Sequence, residues 1–294
     1  MKCIYYPGCS GQATAKNYNI SFQEICKKLA IELVELDDWN CCGTTAAISI
    51  NKTVALSLSA RNLALASNLN TSGLPIITPC PSCSLSLMKV NKVIAEGGEY
   101  AKNLQEALGA GNMSYDGSVA VRHVLDFLIN TVGVEKIASQ VVKPLTGLRI
   151  APYYGCLVTR PYSEGDDAQH PENMEKLIRA LGGEPVDFPL KTTCCGGTLM
   201  ITKKDVTQQM TSAILNSIKA AEAEIIATPC GLCQSSLELA QMGKIPLSLP
   251  SNALPVVNIA QLIGVAFGFK PGTLMLNRDI FNTAYSTNKK SACC

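Results

Sequence analysis

The chain has 294 residues, 47% of them hydrophobic and 16% charged. That is too apolar for a disordered polymer and long enough for two ordinary cores. A formal charge of +2 leaves no strong electrostatic footprint for nucleic acid or acidic lipid, and fourteen cysteines against two histidines (His123 and His170) exclude a histidine-rich metal centre.

From the start, Met1 to Cys9 carries one charge and no apolar stretch long enough for a secretory leader. No uninterrupted apolar run of about 18 residues occurs, as a membrane span would need. The nearest, residues 254–269, is broken by Asn258 and Gln261. A cytoplasmic location is the expectation. In such a reducing compartment, cysteines are more often metal ligands or redox groups than bridges.

Residues 2–6 form an apolar run ending in Pro7-Gly8 and read as a buried strand. Residues 17–30 have helical spacing, with Ile20, Ile25 and Leu29 on one face, and 31–36 alternate like a strand. Residues 51–68 read as a long helix rich in Ala, Leu and Ser. Residues 76–78 form a short strand running into Cys80, and 84–95 continue as a helix. The series then returns as strand 148–154, helix 204–223, strand 225–228 running into Cys230, and helix 234–241. This alternation predicts an α/β fold of two pseudo-symmetric repeats, each a small, mostly parallel sheet flanked by helices. Lys143-Pro144 and Gly147 supply breakers, so the expected division is 1–146 and 147–294.

The cysteines repeat with the elements. Cys9, Cys41-Cys42-Gly43 and Cys80-Pro81-Ser82-Cys83 are followed, about 150 residues on, by Cys156, Cys194-Cys195-Gly196 and Cys230-Gly231-Leu232-Cys233. Their neighbours travel with them. Tyr5-Tyr6-Pro7-Gly8-Cys9 matches Tyr153-Tyr154-Gly155-Cys156, and Thr78-Pro79-Cys80 matches Thr228-Pro229-Cys230. Residues 121–128 are echoed by 256–263.

Each set falls at the ends of predicted strands, where ligands bind in open α/β sheets. The Cys-x-x-Cys pairs open helices, whose unpaired N–H groups favour thiolate. Gly43 and Gly196 are expected to let backbone pass close to a bulky inorganic core. Five cysteines per copy exceed the four that a tetrahedral zinc or a cubane cluster takes. Adjacent cysteines also point apart, so five with a vicinal pair suit an opened iron–sulfur core in which one thiolate bridges. Ten thiolates would carry the formal charge from +2 to −8, so the metal-free chain should lose stability or reprotonate them.

Taken alone, a Cys-x-x-Cys pair also arises from structural zinc or thiol–disulfide exchange, and a Cys-Cys pair from two small buried residues. The ordered, doubled pattern resembles the cysteine-rich CCG domains of the heterodisulfide reductase B-subunit, from Cys9 to at least Ile263. Trp39-Asn40-Cys41-Cys42-Gly43 and Ala60-Arg61-Asn62-Leu63-Ala64 look most like bacterial-type or sulfur-oxidising members. The resemblance implies two noncubane 4Fe–4S clusters. One falls on Cys9, Cys41, Cys42, Cys80 and Cys83, the other on Cys156, Cys194, Cys195, Cys230 and Cys233.

The resemblance further implies an oxidoreductase acting on sulfur groups. It performs two-electron cleavage or formation of an S–S bond, with iron as Lewis acid toward the departing thiolate. The substrate would be a disulfide, a persulfide or lipoyl-bound sulfur. Methanogenic members tend to carry proline-rich sequence after the first Cys-Cys, whereas Gly43-Thr44-Thr45 follows here, so substrate contacts there are expected to differ. The chain lacks a ferredoxin-type cysteine run and a Gly-x-Gly-x-x-Gly strand–helix turn. Electrons must therefore come from partners. By resemblance these are a ferredoxin-like iron–sulfur subunit of the C type and a flavin-containing subunit of the A type. No nucleic acid partner is expected.

Two other classes stay open: a protein using its Cys-x-x-Cys pairs directly for disulfide exchange, and a zinc-stabilised scaffold with one cluster plus zinc. No catalytic residue beyond the cysteines is assigned. His123, matched by Asn258, reads as a helix-face or cap residue. Cys3 reads as strand core, Cys26 as helix core, and Cys293-Cys294 as a frayed tail.

Overall fold

The computed structural model describes residues 1–69, 73–162, 165–242 and 253–276. Cys293 and Cys294 lie outside them. The first half runs β1 (Lys2–Tyr5), α1 (Gly8–Gln12), α2 (Lys16–Lys28), β2 (Glu32–Glu35), α3 (Ala46–Ile50) and α4 (Lys52–Leu69). It continues with β3 (Ile76–Thr78), α5 (Pro81–Glu96), α6 (Gly98–Ala110) and β4 (Val121–His123). Then come α7 (Val124–Asp126), a π-helical turn at Phe127–Val132 and α8 (Val134–Ala138). The second half runs β5 (Arg149–Pro152), α9 (Asn173–Ala180), β6 (Glu184–Pro185), α10 (Lys204–Ala220), β7 (Ile225–Thr228), α11 (Gly231–Gln241), β8 (Val256–Asn258) and α12 (Ile259–Ala266).

Each half holds one four-stranded sheet, parallel throughout, ordered β2-β1-β3-β4 and β6-β5-β7-β8. The inner strands β3 and β7 are buried at every residue, as parallel strands covered on both faces must be. In each sheet the chain reverses its direction of growth at the inner pair. A crevice opens there beyond the carboxyl ends of the strands, the usual ligand position in such sheets. Cys9 and Cys80 emerge at this crevice in one half, Cys156 and Cys230 in the other.

The strands at 76–78 and 225–228 occupy the expected residues. The Cys-x-x-Cys helices begin three residues earlier than the apolar spacing predicts, at Pro81 and Gly231. Cys80 and Cys230 are extended N-caps, and Pro81 at the first helical position gives up an N–H that has no partner there anyway. Helix α6 goes beyond the predicted elements. Only Leu104 and Leu108 are buried on it, too few to stand out as an apolar face. Helix α9 is likewise an addition, the second half's counterpart of α2.

The halves pack through α12 against α2 and α7 against α9. These contacts build one shared apolar core, containing Tyr18, Phe22, Phe127, Met174, Leu177 and Ile263. Two smaller cores lie outside it, one beneath α4 and α5 and one beneath α10 and α11. The echoed segments 121–128 and 256–263 are thus the strand–helix units that lock each half onto the other. Cys3 and Cys26 are fully buried in the shared core.

Candidate iron–sulfur site

The structure brings each sequence-predicted quintet together at the head of its own sheet. Cys9 follows β1, Cys41 and Cys42 lie on the loop after β2, and Cys80 and Cys83 open α5. Cys9 Sγ is 3.8 Å from Cys41 Sγ, and Cys42 Sγ is 3.4 Å from Cys83 Sγ. Of the first vicinal pair, Cys41 is exposed and Cys42 buried, and their side chains remain in contact. In the second half Cys195 Sγ is 3.3 Å from Cys233 Sγ, and Cys156 hydrogen-bonds Cys194. All ten are free thiols. Among the described residues, no three ligating side chains converge as a single metal ion would require.

The two vicinal-pair loops are tied down in the same way. Tyr6 Oη donates to the Asn40 carbonyl at 2.8 Å, and Tyr153 Oη to the Thr193 carbonyl at 2.7 Å. Each tyrosine thus fixes the residue just before its vicinal pair. Ser59 holds the Cys42 carbonyl at 2.8 Å, and Ser236 the Cys195 carbonyl at 3.1 Å. Asn62, buried on α4, accepts from Asn40 N–H and donates to its carbonyl, and Arg61 clamps Asp38 and the Asn40 side chain. Thr78 and Thr228 accept from the Cys80 and Cys230 N–H groups.

At Gly43 and Gly196 the space left by the missing Cβ is taken up by helix side chains. A Cβ on Gly43 would strike Leu58, Ala55 and Ala47, and one on Gly196 would strike Met210 and Thr207. Their missing Cβ lets the loop pack on its own helices, while the Gly196 N–H also donates to Cys194 Sγ at 3.3 Å. The glycines whose missing Cβ faces a Cys-x-x-Cys sulfur are Gly8 and Gly155. Each has positive φ, +68° and +70°, and an added Cβ would lie 3.0 Å from Cys83 Sγ or 2.9 Å from Cys233 Sγ. Both conditions favour glycine. The repeated Tyr-Tyr-(Pro)-Gly-Cys flank carries this signal, although only the fold reveals it as contact with sulfur.

Acidity within the quintets is set by thiol–thiol contacts more than by helix ends. A hydrogen bond from Cys83 holds Cys42 down to about 6 despite its burial, and one with Cys233 holds Cys195 down to about 7. Cys83 and Cys233 are pushed up as the partners in those pairs. Burial lifts Cys9 to about 11 and Cys156 to about 12. The raised thiols would lose their protons together only to a cation held among them.

The first quintet lines a cavity of about 140 Å³ that Tyr18 of α2 and, from the second half, Cys230, Gly231 and Leu232 complete. His123 lies deeper, 4% exposed. Its Nδ1 accepts from Leu125 N–H and caps α7, so the other ring nitrogen carries the proton. That Nε2 lies 3.3 Å from the Pro79 carbonyl, and the ring also hydrogen-bonds the Pro229 carbonyl. The cap reading of His123 stands, but its link to both Cys-x-x-Cys turns is invisible in the sequence. Asn258 caps α12 in the matching place, within a capping box with Gln261.

Residues 3–88 and 150–238 each match the cysteine-rich domain family called CCG. The 8-methylmenaquinol:fumarate reductase membrane anchor subunit of Wolinella succinogenes is 32% identical over 280 residues, covering 95% of this chain and 96% of that one. The B-subunit of the ferredoxin/F420H2-dependent CoB–CoM heterodisulfide reductase of Methanosarcina acetivorans is 28% identical over 258 residues, covering 86% and 85%. A protein of Archaeoglobus profundus, named as like the heterodisulfide reductase B-subunit, is 29% identical over 276 residues and covers 90% of each chain. A hypothetical protein of Helicobacter pylori shares the fold, with a TM-score of 0.70 at 14% identity. The match covers 93% of this chain and 50% of that longer one. No helix among the described residues is long and apolar enough to cross a membrane. With both halves matched and relatives aligned along most of its length, this chain belongs to the CCG cysteine-rich domain family, alongside proteins named for the B-subunit of heterodisulfide reductase.

Proposed function

We propose that the chain is an iron–sulfur redox subunit, its two quintets each holding a noncubane 4Fe–4S cluster, and that an S–S bond is cleaved or formed between them. The observation that carries this reading is the doubled convergence of five thiols at each sheet head, with Cys230 of the second set on the wall of the first set's cavity. The donors fit such a group. They are all soft sulfur ligands, arrayed in pairs along a cavity instead of around one point, and Gly8 and Gly155 leave bulk-free backbone beside Cys83 and Cys233.

Bound there, the clusters supply electrons one at a time and a Lewis-acidic iron. The protein's own part is to hold. Tyr6, Asn62 and Ser59 fix the first vicinal-pair loop, Tyr153 and Ser236 the second, and His123 ties the two Cys-x-x-Cys turns together. Cys9 and Cys41 are exposed, which leaves that edge of the first site open to an electron-carrying partner. The Methanosarcina relative, named as ferredoxin/F420H2-dependent, supports a ferredoxin-like partner; a flavin-containing partner behind it is part of this proposal.

One observation favours a second reading. The 32%-identical relative is named as a subunit of a methylmenaquinol:fumarate reductase, so the two sites could pass electrons between partners without a sulfur substrate. Anaerobic purification with iron, sulfide and zinc counts tests the cofactor. Eight irons per chain support two clusters, four irons with one zinc leave a hybrid, and none leaves thiol–disulfide exchange. A change in the electron paramagnetic resonance of the oxidised protein on adding thiol supports the sulfur reading. An unchanged signal favours electron relay.

A further inference from the structure

One wall of the first cavity is built by no cysteine of the first set. Helix α2 lays Tyr18 along it, and the second half closes it with Cys230, Gly231 and Leu232. The Tyr18 side chain is 1% exposed, and its ring belongs to the core shared by the halves. Its hydroxyl has no hydrogen-bond partner among the described residues. A buried phenol normally finds a partner for its O–H, and an orphaned one destabilises the fold. A donor left unpaired on a cavity wall therefore points to something the cavity receives.

Three features narrow what that is. Tyr18 shares one cavity lining with Cys80 of the first set and Cys230 of the second, yet no described cysteine sulfur lies within hydrogen-bonding distance of its hydroxyl. Among the described residues of the second half, no buried side-chain donor is left without a partner. Tyr5 Oη donates to Asn19 and Tyr154 Oη to Glu175, so these neighbouring phenols are already paired. Beyond Tyr18 the wall is apolar and tight, since a Cβ on Gly231 would come within 2.6 Å of the Ala15 side chain. Ser10, Thr14, Thr44, Thr45 and Ser82 also line the cavity, but the Tyr18 hydroxyl is its buried side-chain donor left without a partner among the described residues, and it stands opposite a bank of sulfur, which suits a guest with a soft, electron-rich acceptor atom.

We propose that the Tyr18 hydroxyl donates a hydrogen bond to the sulfur of an exogenous thiol or disulfide held between the two cysteine sets. The proposal rests on the iron–sulfur reading above. A donor at this point strengthens binding of sulfur that carries negative charge, so a thiolate is held more firmly than a thioether. Tyr18 touches the guest and binds no metal.

The test compares wild-type protein with Tyr18→Phe, which keeps the ring in the core. Both are loaded anaerobically with iron and sulfide, and the oxidised proteins are titrated with 2-mercaptoethanol while the paramagnetic signal is followed. The expected result is equal iron and sulfide in both proteins, the same signal before thiol is added, and a half-saturating thiol concentration about tenfold higher in the variant. Equal half-saturation overturns the proposal while the cluster reading stands. So does an iron-loaded wild type whose signal ignores the thiol. A variant whose signal differs before thiol is added places the acceptor on the cluster itself and also overturns it. Protein that takes up no iron fails the parent reading, and the proposal falls with it.

Discussion

The ring of His123, at the end of the first sheet, hydrogen-bonds the carbonyl of Pro229 in the second half while its Nε2 lies 3.3 Å from the carbonyl of Pro79. These prolines immediately precede Cys80 and Cys230, so one imidazole fastens the two Cys-x-x-Cys turns to each other across the interface. Burial drives this histidine down to about 4, against the opposing pull of those carbonyls and of Asp126. The folded protein therefore holds it neutral, whereas the unfolded chain protonates it near 6.5. This stabilising contribution is fully present above about pH 6.5 and is lost as pH falls through the window from 6.5 to 4. The loss reaches on the order of 3 kcal/mol at its lower end. His123→Asn, which copies the cap at Asn258, should flatten that part of the Tm–pH curve. Thermal melts from pH 4 to 7 check this, and a variant whose curve matches the wild type's would show the histidine is not the titrating group.

Gly8→Ala and Gly155→Ala each force a side chain to about 3 Å from a quintet sulfur at a backbone angle that L residues avoid. Left-handed backbone alone costs roughly 1–3 kcal/mol. Each variant should lose the metal of its own half and keep that of the other, halving the iron per chain. Iron retained in full by both variants would count against the cradle.

Removing Asn62 strips a buried partner from both the N–H and the carbonyl of Asn40. The Tyr6 hydroxyl still reaches that carbonyl, so the N–H is the group left unsatisfied. Asn62→Ala should cost about 1–3 kcal/mol and lower Tm by several degrees. It should also loosen iron in the first half only. Differential scanning fluorimetry with metal counts reads both effects.

Chelating the metal should destabilise both halves, because thiolates crowded this closely repel without a cation among them. The described thiols already show the conflict: Cys42 is held down to about 6 only as its partner Cys83 is pushed up. Melting before and after complete iron removal measures the effect. An unchanged Tm would mean that the thiols, reprotonated, support the fold unaided.

The interface contacts at α2, α7, α9 and α12 are where sequence pattern reaches its limit. Residues 121–128 and 256–263 are recognisable as a repeated phrase, yet a phrase does not say what it packs against. Gly43 and Gly196 illustrate the same limit. Their place beside cysteines does not tell that an added Cβ there would meet helices α4 and α10.

By itself the sequence determined what local pattern can encode: two parallel α/β sheets, their inner strands, and two ordered sets of five cysteines at the strand ends. Period, spacing and breakers are properties of neighbouring residues, so they survive in one dimension. Tertiary structure alone decided which glycines face sulfur, that His123 joins both turns, and that Tyr18 and Cys230 from different halves share one cavity. Those facts depend on how two separately legible sheets are rotated onto a common core. That rotation is set by the summed packing of side chains far apart along the chain.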